Sequence, residues 1–219
     1  PSLFSRSNNN LIRVIAMVRP GTPRRNAMMC LDIMLRLAYS FHPDSISTNS
    51  IPSVEIVLFG STKNSIIELL EKLIKTHGKE PHRRIEVLNG VNVRLMEIVR
   101  KRYELADLYR ESDIFVDASW WQAFGRSAVE SMACGCVPVF PLIGAGSEIC
   151  EEGKEGKSCV YHDGNDSIGF YNLVSSLILN HTYRKSLSIA GLKRSEDFNI
   201  DSSILSILSS FRSALNKWR

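Results

Sequence analysis

The chain has 219 residues, 44% hydrophobic and 23% charged, and its 27 Lys+Arg against 23 Asp+Glu leave a net charge of +4 at pH 7. This near-average composition excludes disordered, collagen-like and coiled-coil classes and suits a chain long enough to bury its own core. So small a charge hints at an anionic ligand but is no nucleic-acid footprint. No apolar run reaches the roughly 18 residues of a membrane span. Five cysteines (Cys30, Cys134, Cys136, Cys150, Cys159) are an odd set in a chain too large to need staples. With no signal peptide in view, they point to a reducing compartment. The chain opens at Pro1 without Met, as an excised piece would.

Residues 1–10 (PSLFSRSNNN) are polar and turn-prone and read as a leader or linker. Residues 11–18 (LIRVIAMV) are apolar and β-branched, which predicts a buried strand. Two prolines and a glycine make 19–25 (RPGTPRR) a loop. Asn26 then serves as N-cap, and Met28, Leu31, Leu35 and Ala38 recur at helical spacing up to Phe41. A second polar loop spans 42–53. The pattern repeats with a strand over 54–59 closed by Gly60, then an amphipathic helix over 65–76 with Ile66, Leu69, Leu70 and Leu73 inward. After a basic turn, 85–88 predicts a third strand and 94–109 a helix. Further along, 114–116 predicts a strand, 125–133 a short helix, 137–140 a strand and 159–161 a last strand. Helices near 167–179, 182–194 and 202–218 close the chain.

Strands alternating with helices of about a dozen residues predict a parallel α/β sheet covered on both faces. There is no internal repeat, and the interior polar segments are too short to be linkers, so 11–219 reads as one domain. In such a sheet ligands bind beyond the carboxyl ends of the strands. That rule selects the loops after Val18, Phe59, Leu88 and Val116.

In the first of these loops Arg19, Arg24 and Arg25 fall within seven residues, just ahead of a helix N-terminus. Guanidinium forks and a helix end both suit phosphate oxygens, so a diphosphate is one reading and a solvated basic turn the other. Neither GxGxxG nor GxxxxGK[ST] occurs. The richest segment is 117–141, DASWWQAFGRSAVESMACGCVPVFP. Gly125 opens a helix there, so the amides of Phe124, Gly125 and Arg126 face the space above the sheet. Gln122 in the loop and Glu130 in the helix come within reach of a ligand's hydroxyl groups, an exposed helix carboxylate being the plainer reading of Glu130. Trp120 and Trp121 either wall that space or belong to a core or interface. Cys134 and Cys136 lack a second pair at metal spacing and read as packed thiols.

The segment Q-A-F-G-R-S-A-V-E (residues 122–130) followed by S-M-A-C-G-C-V-P-V (131–139) resembles the donor signature of family 4 retaining glycosyltransferases (glycosyl transferases group 1). That signature reads E-G-F-G-x-x-x-x-E, then a-M-A-x-G-x-P-V. ELADLYRESDIFVDAS (104–119), GAGSEI (144–149), MVRPGTPRRN (17–26) and LFGS (58–61) resemble its flanking motifs. The resemblance implies the GT-B fold, of which this chain would be the Rossmann-like C-terminal half, with the acceptor-binding N-terminal domain absent. It also implies a nucleotide-diphosphate sugar as donor and hexosyl transfer to a polysaccharide or glycoconjugate. No metal and no further cofactor are implied.

Carried over by position, Glu130 meets the ribose, and Gln122 stands where the family has an acid on the transferred sugar. Phe124, Gly125 and Arg126 hold sugar and phosphate. Arg19 with Arg24, or by a one-residue shift Arg25, clamps the diphosphate. Gly60 marks a strand end, and Gly90 with Val91 meets the base. The departures are Gln122 for a carboxylate and an arginine for a lysine. The expected place is cytoplasmic, with a peripheral position at the inner membrane face open to the full-length enzyme. Two other readings stand beside it, another GT-B enzyme such as a sugar-nucleotide epimerase and a non-catalytic interaction domain.

Overall fold

A computed structural model describes residues 11–41, 51–77, 93–96, 98–99, 101–150 and 157–217. The strands β1 (Leu11–Met17), β2 (Ser53–Phe59), β3 (Val93–Leu95), β4 (Ile114–Val116), β5 (Val137–Pro141) and β6 (Val160–His162) form one sheet in the order β3-β2-β1-β4-β5-β6. Every neighbouring pair is parallel. The crossovers carry α1 (Ala27–Ser40), α2 (Lys63–His77), α3 (Arg102–Arg110), α4 (Arg126–Ala133) and a short α5 (Gly146–Ile149). Three helices follow: α6 (Ser167–Leu179), α7 (His181–Ser195) and α8 (Ile200–Lys217).

Strands buried on both faces need apolar residues at successive positions, and β1 and β2 have them. Val14, Ala16 and Val18 turn to one face, where Leu31, Leu35, Ile66, Phe170, Val174 and Leu177 cover them. Ile15 and Met17 turn to the other, packed with Val57, Phe115, Leu108 and Tyr109. Tyr109 meets Phe115 edge-on at 5.4 Å. Each of the Val, Leu, Ile, Phe and Met side chains among these contributes about 1.5–3 kcal/mol on burial, so the sheet is held from both sides. A third cluster of Ala128, Met132, Phe140 and Ile149 seats α4 and α5 beside β5.

The chain winds outward from β1 to β3, then returns beside β1 to start β4. The loops after β1 and β4 therefore diverge to opposite sides and leave a crevice at the carboxyl edge, where this topology places ligands.

Two expectations are corrected. Residues 93–95, expected as the start of a helix over 94–109, form β3, because Val93–Leu95 pairs in register with Ile56–Leu58; the helix begins only at Arg102. An apolar run this short fits either period, and the open edge of β2 decides it. The short helix α5 was not anticipated. Cys150 and Cys159 form a disulfide, where an odd set of cysteines had suggested thiols; Cys30, Cys134 and Cys136 are free. Along α8, Ile204, Leu205, Leu208, Phe211 and Leu215 are all exposed. The expected strand over 85–88, the leader over 1–10, Gly90, Val91 and Trp218 lie outside the described residues.

Candidate functional site

Arg19 follows β1 directly, and the loop behind it is folded by its own backbone. Thr22 N donates to Arg19 O at 3.2 Å and Arg25 N to Thr22 O at 2.9 Å. Pro23–Arg25 forms a single 3-10 turn. Asn26, at φ 47°, turns the chain into α1; asparagine tolerates this left-handed conformation better than most side chains. On the facing side Gly125, at φ 80°, turns the chain into α4. Trp120 N donates to Arg24 O at 2.9 Å and stitches the two loops together.

Between them lies a cleft of about 350 Å³, lined by Arg19, Arg24, Arg25, the run from Trp121 to Gly125, Arg126 and Ser127. The three arginines and the N-terminal turn of α4 thus face one space. Partial positive charge at that helix end adds to the guanidinium charges. The arginines also act on one another. Burial lowers the Arg25 pKa most, Asp117 opposes it, and Arg24 and Arg19 lower it further. A cluster of like charges of this kind is relieved by an anion.

Beneath the cleft is a buried polar network. Asp117, at the end of β4, accepts from Arg25 at 3.0 Å, the two side chains being 5% and 11% exposed. It also accepts from Gln122 Nε2 at 2.5 Å, from Ser119 N at 3.0 Å and from the Ser119 hydroxyl. Gln122 Oε1 accepts in turn from Arg24 at 3.2 Å, and the Arg24 guanidinium lies 5.2 Å from the Trp121 ring centre. His162 Nε2 is 2.8 Å from the Asp117 carbonyl oxygen. A carbonyl can only accept, so this nitrogen carries the proton. The ring stacks on Phe170 at 3.9 Å, and its burial holds the imidazole below its ordinary value against the pull of that hydrogen bond.

The expected site residues divide. Arg19, Arg24, Arg25, Gln122, Phe124, Gly125 and Arg126 come together around one cleft. Gln122, expected to offer its amide to a sugar, is only 5% exposed and has its side chain engaged on both sides. Glu130 is exposed and outside the lining; its charge is felt by Tyr109, whose phenol is raised by burial first and by Glu130 next. Gly60, at φ 99°, packs on Met17 and Val18 rather than lining the cleft. Trp120 and Trp121 are about half exposed, at 46% and 45%, and of the two only Trp121 lines the cleft. Asp117, Ser119 and His162 had not been singled out. An acid at the carboxyl end of a central parallel strand was the available signal for the first. Among the described residues, no group of three His, Cys, Asp or Glu side chains could hold a metal ion, and no helix is long and apolar enough to cross a membrane.

The profile of the family described as glycosyl transferases group 1 matches residues 49–180, more than half of the chain. The chain belongs to that family, and its fold is the Rossmann-like half of a GT-B glycosyltransferase. It is 30% identical over 118 residues to D-inositol 3-phosphate glycosyltransferase of Thermobifida fusca, a match spanning 54% of this chain and 26% of that relative. In structure it resembles sucrose-phosphate synthase of Thermosynechococcus elongatus, with TM-score 0.67 and 18% identity over 94% of this chain and 46% of that one. It also resembles HepE of Anabaena bound to UDP and glucose, with TM-score 0.63 and 18% identity over 91% and 48%. The C-terminal domain of LpcC, a glycosyl transferase group 1 protein of Francisella tularensis, is similar with TM-score 0.63 and 17% identity over 87% and 86%. The chain thus covers about a quarter of that curated relative and under half of the two longer structures.

Proposed function

We propose that this chain is the nucleotide-sugar-binding domain of a retaining, family 4 glycosyltransferase that passes a hexosyl group to a polysaccharide or glycoconjugate. The observation that carries the reading is the convergence of Arg19 and Arg24 with the N-terminal turn of α4 on one cleft at the switch point of the sheet. A diphosphate supplies the anion that such a cluster favours. HepE, similar in fold, is described with UDP and glucose, which supports the same ligand class here.

In this reading Arg19 and Arg24 bind the diphosphate and stabilise the charge that grows on it as the sugar leaves. That is an electrostatic role needing preorganised donors and no proton transfer. The amides of Phe124, Gly125 and Arg126 meet phosphate or sugar oxygens, and Glu130 meets the ribose. The chemistry proceeds without a resident metal, since the guanidinium groups take on charge neutralisation. The acceptor is held by a second domain, and this domain alone binds donor without transferring it.

Calorimetric titration of the chain with UDP, GDP and dTDP, and with their sugar conjugates, tests the reading. Binding of one base series, weakened by Arg24→Ala and by Glu130→Ala, is the expected outcome. No binding of any of them overturns it.

A further inference from the structure

We propose that Asp117 and Gln122 form one positioning unit for the arginines, and that the carboxylate at 117 is what requires an amide at 122. The inference deepens the donor-site reading and rests on it for the identity of the anion.

The polarity of the hydrogen bonds carries the argument. Asp117 uses both carboxylate oxygens, taking Ser119 on Oδ1 and both Gln122 and Arg25 on Oδ2. Gln122 must therefore donate on the side of Asp117, and it gives a second bond to Ser119 Oγ at 3.2 Å. On its other side it must accept, because Arg24 only donates. An amide has both polarities in one side chain. An ionised glutamate has no proton for Asp117, and an apolar residue serves neither neighbour. The backbone leaves little freedom to escape: Gln122 N donates to Ile143 O at 3.1 Å, and Gln122 O accepts from Ala145 N at 3.0 Å.

The charges follow the same logic. Arg25 is paired with Asp117 at 3.0 Å, so its charge is largely offset. Arg24 instead meets neutral acceptors, Gln122 Oε1 and the Trp121 carbonyl at 3.5 Å. The amide thus orients Arg24 while leaving its charge for an anion, and a carboxylate at 122 would bind the guanidinium and take up that charge. Gln122 is on this view a positioning residue, not a sugar ligand. The charged and titratable groups facing the pair are Arg24 and Arg25 from the loop after β1, and Cys30 of α1, its thiol pushed up to about 12 by burial and by Asp117. Tyr109 of α3 and His162 of β6 face it as well, with Arg19 acting on Arg25.

The test compares the wild-type chain with Q122E, Q122M and the double variant D117N/Q122E. Melting is followed across about pH 5 to 8.5, and UDP is titrated at about pH 8. In Q122E two carboxylates share one buried site, so their apparent pKa is raised in the folded state. The penalty is absent below the unfolded carboxylate value and grows as pH rises through the folded one, so the Q122E melting temperature falls with pH relative to wild type. The double variant keeps one carboxylate and places a donor at 117; its melting temperature is lowered at every pH by loss of the Arg25 counter-charge, and its pH profile returns to that of wild type. UDP binding should fall about tenfold or more in Q122E and in the double variant, but less in Q122M, where Arg24 keeps its charge. A Q122E variant folded at low pH and unfolded at high pH is the same result in stronger form. A Q122E profile matching wild type, a double variant that fails to restore it, or full UDP affinity in folded Q122E overturns the proposal. A wild-type chain that binds no nucleotide counts against the donor-site reading, and the melting profiles then still decide whether 117 and 122 are coupled.

Discussion

Arg25 donates to Asp117 at 3.0 Å with both side chains almost fully enclosed, which makes this pair the anchor beneath the arginine loop. Its neighbour Arg24 points at the cleft instead, held over Trp121. Two adjacent arginines thus have opposite duties. Substituting Asp117 with Ala leaves the Arg25 guanidinium buried without its counter-charge, which costs about 3–5 kcal/mol. Equilibrium unfolding in denaturant checks this, with a lowered midpoint and unchanged slope expected.

Gly144 is required by contact as well as by conformation. It sits at φ 98°, and a Cβ there would stand 1.9 Å from the Gln122 carbonyl oxygen. Gly144→Ala must displace the backbone of the cleft loop, a cost of about 2 kcal/mol or more. A thermal melt reads the loss, and UDP titration of the surviving folded fraction should show weaker binding as Gln122 shifts.

His162 gives the fold a pH dependence of known sign. Burial depresses its folded pKa below the ordinary 6.5, so the unfolded chain takes up the proton first as pH falls. Its contribution to stability is whole above the unfolded value and is lost as pH drops through about 6.5 toward the folded one. Unfolding free energies measured between about pH 5 and 8 should rise with pH in the wild type. The His162→Gln variant, which keeps a donor for the Asp117 carbonyl, should show a shallower slope.

Thiol chemistry checks the cysteine assignment. With Cys150 and Cys159 joined, the unfolded chain offers the three free thiols of Cys30, Cys134 and Cys136. Folded, it should react slowly, since Cys30 is buried with its thiol pushed up to about 12. Burial likewise raises Cys134 above its ordinary value. Titration under denaturing, non-reducing conditions should give three equivalents, rising to five after reduction.

The doubly covered parallel sheet was legible because β1 and β2 are mainly apolar runs, broken only by Arg13, Ser53 and Glu55 and followed by Pro or Gly, and their helices carry a 3.6-residue apolar stripe. The cleft was legible too, since the strand-end rule selects the arginine loop and the Gln122–Gly125 turn before any contact is seen. Val93–Leu95 was not, because three residues carry no period and its pairing partner is some forty positions earlier. The disulfide was hidden for a different reason: Cys150 and Cys159 are only nine positions apart, but an odd set of five cysteines does not say which of them pair. Gln122 was legible as a loop residue at the cleft, but its hydrogen bond to Asp117 was not. Spacing puts a side chain on a loop, but its direction depends on Asp117, which spacing does not mark as a partner. The amphipathic pattern of α8 was legible as a helix, and its apolar face is exposed.

On the proposed reading the cleft binds a nucleoside diphosphate through Arg24, while Arg25 serves the fold. Calorimetric titration of UDP into the wild-type chain, Arg24→Ala and Arg25→Ala, each alongside a thermal melt, tests it most directly. Arg24→Ala should melt close to wild type and bind about tenfold or more weakly, as expected for loss of a charge-assisted hydrogen bond. Arg25→Ala should melt clearly lower, because it leaves the Asp117 carboxylate buried and unpaired. Unchanged UDP affinity in a folded Arg24→Ala variant would contradict the claim.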